Sequence, residues 1–267
     1  MHIVVCAKQI PDPETPPSAF RVNEQTNEVI PAQGIAPVLS QFDAIAAEAA
    51  LRIKEAGTDV KITVVSMGKA SAAAAIKQVL AMGADEGLLL DDDAFEGGDW
   101  NGTVNVLSAA IQKLGNVDAV FCGRQAADFD MGQTGIGIAE TLGWSAAIIA
   151  KDVKVEGDKM VVQRVLPDGF QTLKLPMPSV VTVSNELGEP RYPKLAQIMQ
   201  AAKKTVTKWS AADLGVDVGA VGAAGARLKL ERLYIPQAGG NVILIEGETP
   251  QEMAQNLVKA LQADKVL

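Results

Sequence analysis

A glycine-containing segment at residues 123–135 carries the residue types best suited to binding a phosphate-bearing ligand. It reads GRQAADFDMGQTG and lies between an apolar run at residues 119–122 and a helical pattern that stops at Gly143. Glycines let the main chain approach a phosphate closely, and the first turn of a helix offers unpaired N–H groups. Gln133 and Thr134 can donate hydrogen bonds to phosphate or ribose oxygens. The segment is therefore predicted to bind a phosphate-bearing ligand.

Two carboxylates in the same segment, Asp128 and Asp130, are unsuited to contacting phosphate directly. We expect them to fix the loop or to accept hydrogen bonds from ribose hydroxyls. The glycine spacing matches neither the Walker loop nor the GxGxxG motif. A strand-to-helix loop without any ligand is therefore the alternative interpretation.

The elements around this segment alternate between strands and helices. Apolar runs predict strands at residues 2–7, 60–66, 87–90 and 119–122. Helical spacing predicts helices at residues 41–55, 71–82 and 102–114, with a further helix after the glycine segment. Ser71 is the expected N-cap of the second helix, and Gly83 its stop. This alternation predicts an α/β fold with a Rossmann-like parallel sheet covered by helices, which binds ligands at the carboxyl ends of its strands.

The pattern changes after about residue 150. Turn signals at residues 157–158 and 167–169 predict a small antiparallel β meander at about 150–176, attached to the sheet. We therefore expect a nucleotide-binding domain over residues 1–184. Residues 185–267 are expected to form a loop and a C-terminal arm that packs on another protein, ending in a helix capped by Thr249.

Composition excludes several classes of protein. The net charge of −8 disfavours a nucleic-acid-binding surface, and the two cysteines and one histidine do not support a disulfide framework or a metal site. The apolar runs are too short to span a membrane. The sequence gives no catalytic set of side chains. We expect a cytoplasmic protein.

The segment at residues 123–135 resembles the nucleotide-binding signature of electron-transfer flavoprotein beta subunits. The likeness extends over nearly the whole chain. It includes the opening VVCAKQIPD, the helix at residues 42–54, the stretch LAMGAD at residues 80–85 and the stretch at residues 185–199 that contains EPRY. Four separated motifs in the same order identify the chain as similar to this family.

The resemblance implies a set of nucleotide contacts and a partner-binding loop. The nucleotide-binding residues would be Cys6, Ala7, Lys8, Ser40, Phe42, Asp43, Met67, Gly123, Arg124, Ala126, Asp128, Asp130, Met131, Gly132, Gln133 and Thr134. The loop that recognises a dehydrogenase would use Glu189, Pro190, Arg191, Tyr192 and Leu195, with Leu195 as the apolar anchor.

By the same resemblance, the chain is an electron carrier rather than an enzyme. It would form a heterodimer with an alpha subunit that holds the redox FAD, accept electrons from a flavin dehydrogenase such as an acyl-CoA dehydrogenase, and pass them to a reductase. Thr134 and the bulky Phe129 favour AMP as a structural nucleotide in this subunit. The alternatives are a bifurcating subunit that binds its own FAD and oxidises NADH, and a stand-alone adenine-nucleotide-sensing module.

Overall fold

The structure is a computed structural model that describes residues 1–236, 240 and 242–267. It divides into two compact units, Met1–Leu233 and Tyr234–Leu267. The first unit contains the sheets and most of the helices, and the second contains the C-terminal helix. The division falls later in the chain than residue 184. The assignment of residues 185–267 to partner binding stays a prediction.

Thirteen strands are present in the described part of the chain. They are β1 His2–Cys6, β2 Gln9–Ile10, β3 Arg21–Asn23, β4 Glu28–Ile30, β5 Val38–Leu39, β6 Lys61–Met67, β7 Glu86–Leu90, β8 Ala119–Gly123, β9 Ser145–Glu156, β10 Lys159–Leu166, β11 Gly169–Pro176, β12 Ser179–Val183 and β13 Val206–Trp209. The α-helices are α1 Gln41–Glu55, α2 Ala73–Met82, α3 Trp100–Leu114, α4 Thr134–Leu142, α5 Leu195–Lys203, α6 Ala211–Leu214 and α7 Pro250–Ala263.

Nine strands form one sheet in the order β11-β10-β9-β12-β8-β1-β6-β7-β13. All pairings from β9 to β13 are parallel, whereas β9, β10 and β11 form an antiparallel meander. The predicted α/β fold and its attached meander are therefore confirmed. In the sheet, β6 pairs with one side of β1 and β8 pairs with the other. The carboxyl ends of β1 and β8 thus form a topological switch point, which is where open α/β sheets bind ligands.

Helices of the first unit cover both faces of this sheet and pack apolar side chains against it. Two clusters of buried side chains form on either side of the strands, one containing Ile3 and Val5 and the other Val4 and Val120. Helix α1 has the predicted bounds, and its many alanines let it lie close to the strands. The alternation of side chains along β1 assigns its residues to the two clusters.

One local prediction differs from the structure. Ser71 is not the N-cap of α2: residues Ala70–Ala72 form a 3-10 turn and Ala72 precedes the helix without a side-chain cap. A serine inside such a turn lacks the extended backbone that a capping residue uses. The end of the helix is as predicted, with Gly83 at a φ of +134°. The edge strand β13 and the two small sheets formed by residues 9–39 were not predicted from the sequence.

The second unit contains helix α7, whose start matches its sequence signals. Thr249 accepts a hydrogen bond from the Glu252 N–H, and Pro250 occupies the first turn. The Glu252 carboxylate accepts from the Glu248 N–H, one residue before the cap. Among the helices of the described residues, each is either too short or too polar to cross a lipid bilayer.

Candidate functional site

A cavity of about 1000 Å³ opens at the switch point between β1 and β8. Cys6, at the end of β1, and Gly123, at the end of β8, form its floor, and the segment from β8 to α4 forms one wall. Volumes of roughly 300–1000 Å³ are usual for small-molecule sites. The cavity therefore has the place and the size of a ligand site.

The buried carboxylate of Asp43 joins the two strand ends below this cavity. Its Oδ2 accepts a hydrogen bond from the Lys8 N–H (2.8 Å), and its Oδ1 accepts one from the Gly123 N–H (3.0 Å). A Cβ at Gly123 would lie 2.6 Å from that Oδ1, so only glycine allows this approach. Burial raises the pKa of Asp43 to about 7, against the opposing effect of the two N–H donors. Asp43 thus fixes the geometry of the cavity floor.

The two acidic residues of the glycine segment hold that segment in shape, which is one of the two roles expected for them. Asp128 forms an ion pair with Lys8 (2.7 Å) and accepts from the Phe129 N–H (3.0 Å). Asp130 accepts from the Gln125 side chain (2.8 Å). The Lys8 ammonium also lies 5.6 Å from the centre of the Phe129 ring. These contacts connect the wall of the cavity to the end of β1.

Helix α4 begins at the cavity with an open N-terminus. Gln133 precedes the helix and provides no side-chain cap, and Gln133, Thr134 and Gly135 all line the cavity. The first N–H groups of a helix have no acceptor inside it and carry partial positive charge. An anionic group in the cavity would meet these N–H groups, so the arrangement suits a phosphate.

Most of the predicted nucleotide-binding residues surround this one cavity. Those that line it are Cys6, Ala7, Lys8, Asp43, Met67, Gly123, Arg124, Ala126, Asp128, Asp130, Met131, Gly132, Gln133 and Thr134. Ser40 and Phe42 do not line it. Ser40 precedes α1 and is fully buried, and the Phe42 ring lies 5.4 Å below the Arg124 guanidinium. Their contact with a nucleotide stays a prediction.

The opposite wall of the cavity is formed by residues that were not predicted to bind the nucleotide. It consists of the turn between β3 and β4, the start of α3 and a stretch of extended chain at residues 226–230. Asp99 carried a local signal, since an aspartate before a helical pattern is a typical N-cap. The extended stretch carried none, because its neighbours in space are far away in sequence.

The two cysteines lie side by side below the ligand space. Both are buried and free. The Cys6 thiol and burial together hold the pKa of Cys122 well above its usual range. A thiol that stays protonated is a poor nucleophile. Cys122 is therefore suited to packing in the core rather than to nucleophilic chemistry.

The predicted partner-binding loop is exposed at its apolar residues and anchored by its arginine. Tyr192 is 97% exposed and Leu195 is 73% exposed. Arg191 points the other way, and its guanidinium binds Glu48 and Glu55 on α1. The loop thus presents two large apolar side chains to solvent while Arg191 contacts its own domain. Of the other two predicted residues, Glu189 is exposed and Pro190 is half-buried.

Comparison with known proteins gives full-length matches. The sequence model of the electron transfer flavoprotein domain matches residues 29–214. Caffeyl-CoA reductase-Etf complex subunit CarD of Acetobacterium woodii is 36% identical over 267 residues, covering 100% of both chains. Electron transfer flavoprotein subunit beta of Megasphaera elsdenii is 34% identical over 275 residues, and that of Thermoanaerobacterium thermosaccharolyticum is 38% identical over 268 residues, each covering 100% of both chains.

Proposed function

The chain belongs to the electron transfer flavoprotein family as a beta-type subunit, and on this basis we propose that it is an electron carrier subunit that holds AMP. It pairs with an alpha subunit whose FAD supplies the redox chemistry. The pair receives electrons from a flavin dehydrogenase, such as an acyl-CoA dehydrogenase, and passes them to a reductase. Relatives named as electron transfer subunits match over their whole length, which favours a paired subunit over a stand-alone nucleotide sensor.

The observation that carries this proposal is the uncapped start of α4 inside the cavity at the switch point. The main chain at Gln133, Thr134 and Gly135 would hold the phosphate of AMP. The loop residues Ala126 and Asp128 would border the ribose. Because Asp128 already pairs with Lys8, the loop has its shape before the nucleotide binds.

The role of this chain is to bind and orient rather than to carry electrons itself. A cofactor enzyme depends on its protein for binding, orientation and the exclusion of competing reactions. The nucleotide cavity and the exposed loop at residues 189–195 supply two separate binding functions in the first unit. Free thiols at Cys6 and Cys122 suit a reducing compartment, so we place the carrier in the cytoplasm.

Leu195 is proposed to anchor the dehydrogenase. Replacing Leu195 by alanine is expected to lower kcat/KM for electron transfer from the dehydrogenase by roughly 10- to 30-fold, because an apolar hot-spot residue contributes about 2 kcal/mol. The measurement is steady-state transfer at varied carrier concentration. Leu195 is 73% exposed, so its loss leaves the core intact and heterodimer assembly unchanged.

The matched control is Leu195→Met, which keeps apolar volume at the same position. This variant should retain most of the wild-type rate. Equal rates for the alanine variant and the wild-type protein would remove Leu195 from partner recognition.

A second candidate function is favoured by the size of the cavity. At about 1000 Å³ it lies at the upper end of the usual range and exceeds the needs of a mononucleotide. The exposed ring of Phe129 lines this space without filling it. The second candidate is a bifurcating subunit that holds FAD here, oxidises NADH and delivers one electron to a low-potential and one to a high-potential acceptor. The relative in a caffeyl-CoA reductase complex supports it.

Counting the nucleotides in the purified heterodimer separates the two candidates. Acid releases the bound nucleotides, and chromatography against standards quantifies them. One AMP and one FAD per heterodimer is the expected result. Two FAD and no AMP would replace the first candidate by the second, and a single FAD with no second nucleotide would overturn both.

A further inference from the structure

The extended stretch at residues 226–230, here called the strap, forms the outer wall of the nucleotide cavity. It faces the segment between β8 and α4 across the ligand space. Arg227, Leu228, Lys229 and Leu230 on the strap are all exposed to that space or to solvent. A wall built from a single extended chain has little packing of its own. Its position must therefore come from the contacts at its two ends.

The inner end of the strap is held by the carboxylate of Asp99. One oxygen, Oδ1, caps α3 by accepting from the Asn101 N–H (2.9 Å) and the Gly102 N–H (3.3 Å). The other, Oδ2, accepts from the N–H groups of Arg227 and Leu228, both at 2.8 Å. Hydrogen bonds to an ionised acceptor are about twice as strong as neutral ones. The inner end is firmly attached to a helix of the main body.

Backbone packing just before the strap adds to this attachment. Gly222 is buried, and a Cβ there would lie 2.1 Å from the Ala94 carbonyl oxygen. The Ala223 N–H donates to the Glu96 carbonyl (2.8 Å), and the Asn101 side chain donates to the Gly225 carbonyl (3.1 Å). Residues that lead into the strap are thus fixed against the start of α3.

The outer end of the strap is held by a different kind of contact. The Asn27 side chain donates to the carbonyls of Leu230 (3.2 Å) and Glu231 (3.3 Å), and it accepts from the Leu233 N–H (2.8 Å). Asn27 lies in the turn between β3 and β4, a hairpin that forms a separate two-stranded sheet. These three bonds are neutral, so each is weaker than a bond accepted by the ionised Asp99 carboxylate. An exposed ion pair between Arg232 and Glu24 (3.2 Å) also joins this end of the strap to the hairpin.

We propose that Asn27 is a positioning residue for the nucleotide: its amide closes the strap over the cavity, and nucleotide enters and leaves when this outer contact opens. The proposal rests on the proposed function, since it requires an adenine nucleotide in the cavity. The Asp99 contact stays formed and acts as the hinge. Asn27 borders the cavity, and its side-chain amide bonds residues 230, 231 and 233, so it acts on the ligand through the position of the strap.

The backbone conformation of Asn27 allows its side chain to be removed without strain. Its φ is +56°, in the left-handed region where asparagine and glycine are both favoured. Asn27→Gly removes the three hydrogen bonds without straining the turn. Asn27→Asp keeps the acceptor for the Leu233 N–H and loses both donors. Asn116→Gly is the matched control, since Asn116 has a φ of +48° at the far end of α3.

The test measures exchange of bound nucleotide in the intact heterodimer. Radiolabelled AMP is added in excess, and its incorporation is followed by rapid gel filtration, with radiolabelled FAD used instead if the heterodimer contains two FAD. Asn27→Gly should exchange at least about tenfold faster than wild type, given the modest energy of three neutral hydrogen bonds. Asn27→Asp should fall between them, and Asn116→Gly should match wild type. The melting temperature should change little, because the hairpin lies outside the main sheet.

Hydrogen exchange supplies a second measurement. The amides of residues 229–233 should lose protection in Asn27→Gly, whereas those of Arg227 and Leu228, which Asp99 binds, should keep it. Unchanged nucleotide exchange in Asn27→Gly, with nucleotide present in wild type, would overturn the strap proposal alone. A wild-type heterodimer without any nucleotide in this subunit would overturn it together with the proposed function.

Discussion

Replacing Asp43 by alanine is expected to lower the melting temperature of the heterodimer by roughly 5–10 °C and to abolish nucleotide binding. The buried N–H groups of Lys8 and Gly123 would both lose their acceptor, at a cost of about 1–3 kcal/mol each. Removing a buried carboxylate offsets part of this cost, which leaves about 3 kcal/mol. A loss of that size shifts the melting temperature of a domain of this length by the stated amount. Calorimetry and nucleotide content are the measurements.

The raised pKa of Asp43 also leads to a prediction of how the stability of the protein depends on pH. Burial raises the pKa of Asp43 to about 7 in the folded protein, from 3.8 as the ordinary value. Between these two pH values the folded protein binds the proton more tightly than the unfolded chain does. The contribution of Asp43 to the free energy of unfolding is therefore greatest at low pH, and it falls as the pH rises towards about 7.

The control for this effect is Asp43→Asn, which has no proton to bind. The asparagine keeps one acceptor oxygen but places its NH₂ group against the second N–H donor. We expect it to be less stable than wild type by about 1–3 kcal/mol at pH 5.5. The difference between the two proteins should shrink from pH 5.5 to pH 8. Parallel stability curves over this range would show that Asp43 has no raised pKa.

The part of the site around Asp43 could be predicted from the sequence, and the reason is physical. The strands β1 and β8 are short apolar runs, and a parallel sheet brings the carboxyl ends of its strands to one edge. The glycine segment follows β8 directly, so its position at that edge follows from chain order. Likewise, helix α1 has the bounds that its apolar spacing predicts. Local pattern and strand order were sufficient for this wall of the cavity.

The opposite wall could not be predicted because its contacts join distant parts of the chain. Asn27 bonds residues about two hundred positions away, and no periodicity marks the strap. Strand β13 was hidden for a similar reason. It has four residues, half of them polar, and it becomes a strand only because β7 offers an unpaired edge. Short edge strands take their conformation from a partner rather than from their own sequence.

The orientation of Arg191 could not be predicted from the sequence, because it depends on carboxylates of helix α1 that are far away along the chain. A basic residue in a recognition loop was expected to face the partner. In the structure its Nε donates to Glu48 (2.7 Å), its main-chain N–H donates to the same carboxylate (3.2 Å), and its Nη2 donates to Glu55 (3.0 Å). Glu48 is only 5% exposed. Burial raises the pKa of Glu48, but the hydrogen bonds from Arg191 outweigh it and lower the pKa overall.

We therefore expect Arg191→Ala to slow electron transfer from the dehydrogenase at least about tenfold, although the side chain binds helix α1 of its own chain. Removing one member of a buried ion pair costs about 3–5 kcal/mol. Arg52 still binds Glu48 in the variant, which reduces the loss to about 2 kcal/mol. The loop at residues 189–195 would then leave its position on α1, and Leu195 would have to be ordered again at each encounter. Steady-state kcat/KM with the dehydrogenase measures this loss.

Two control variants separate loop positioning from charge. Arg191→Lys keeps the charge but loses the planar fork that binds two carboxylates at once, so it should recover only a small part of the rate. Arg52→Gln removes the other arginine from Glu48 and the hydrogen bond to the Leu187 carbonyl (2.9 Å) but keeps every bond of Arg191, so it should slow transfer much less than Arg191→Ala does. Full activity in Arg191→Lys would mean that charge alone positions the loop. Because neither Arg191 nor Arg52 lines the nucleotide cavity, all three variants should retain their nucleotide, which distinguishes a displaced loop from a damaged cavity.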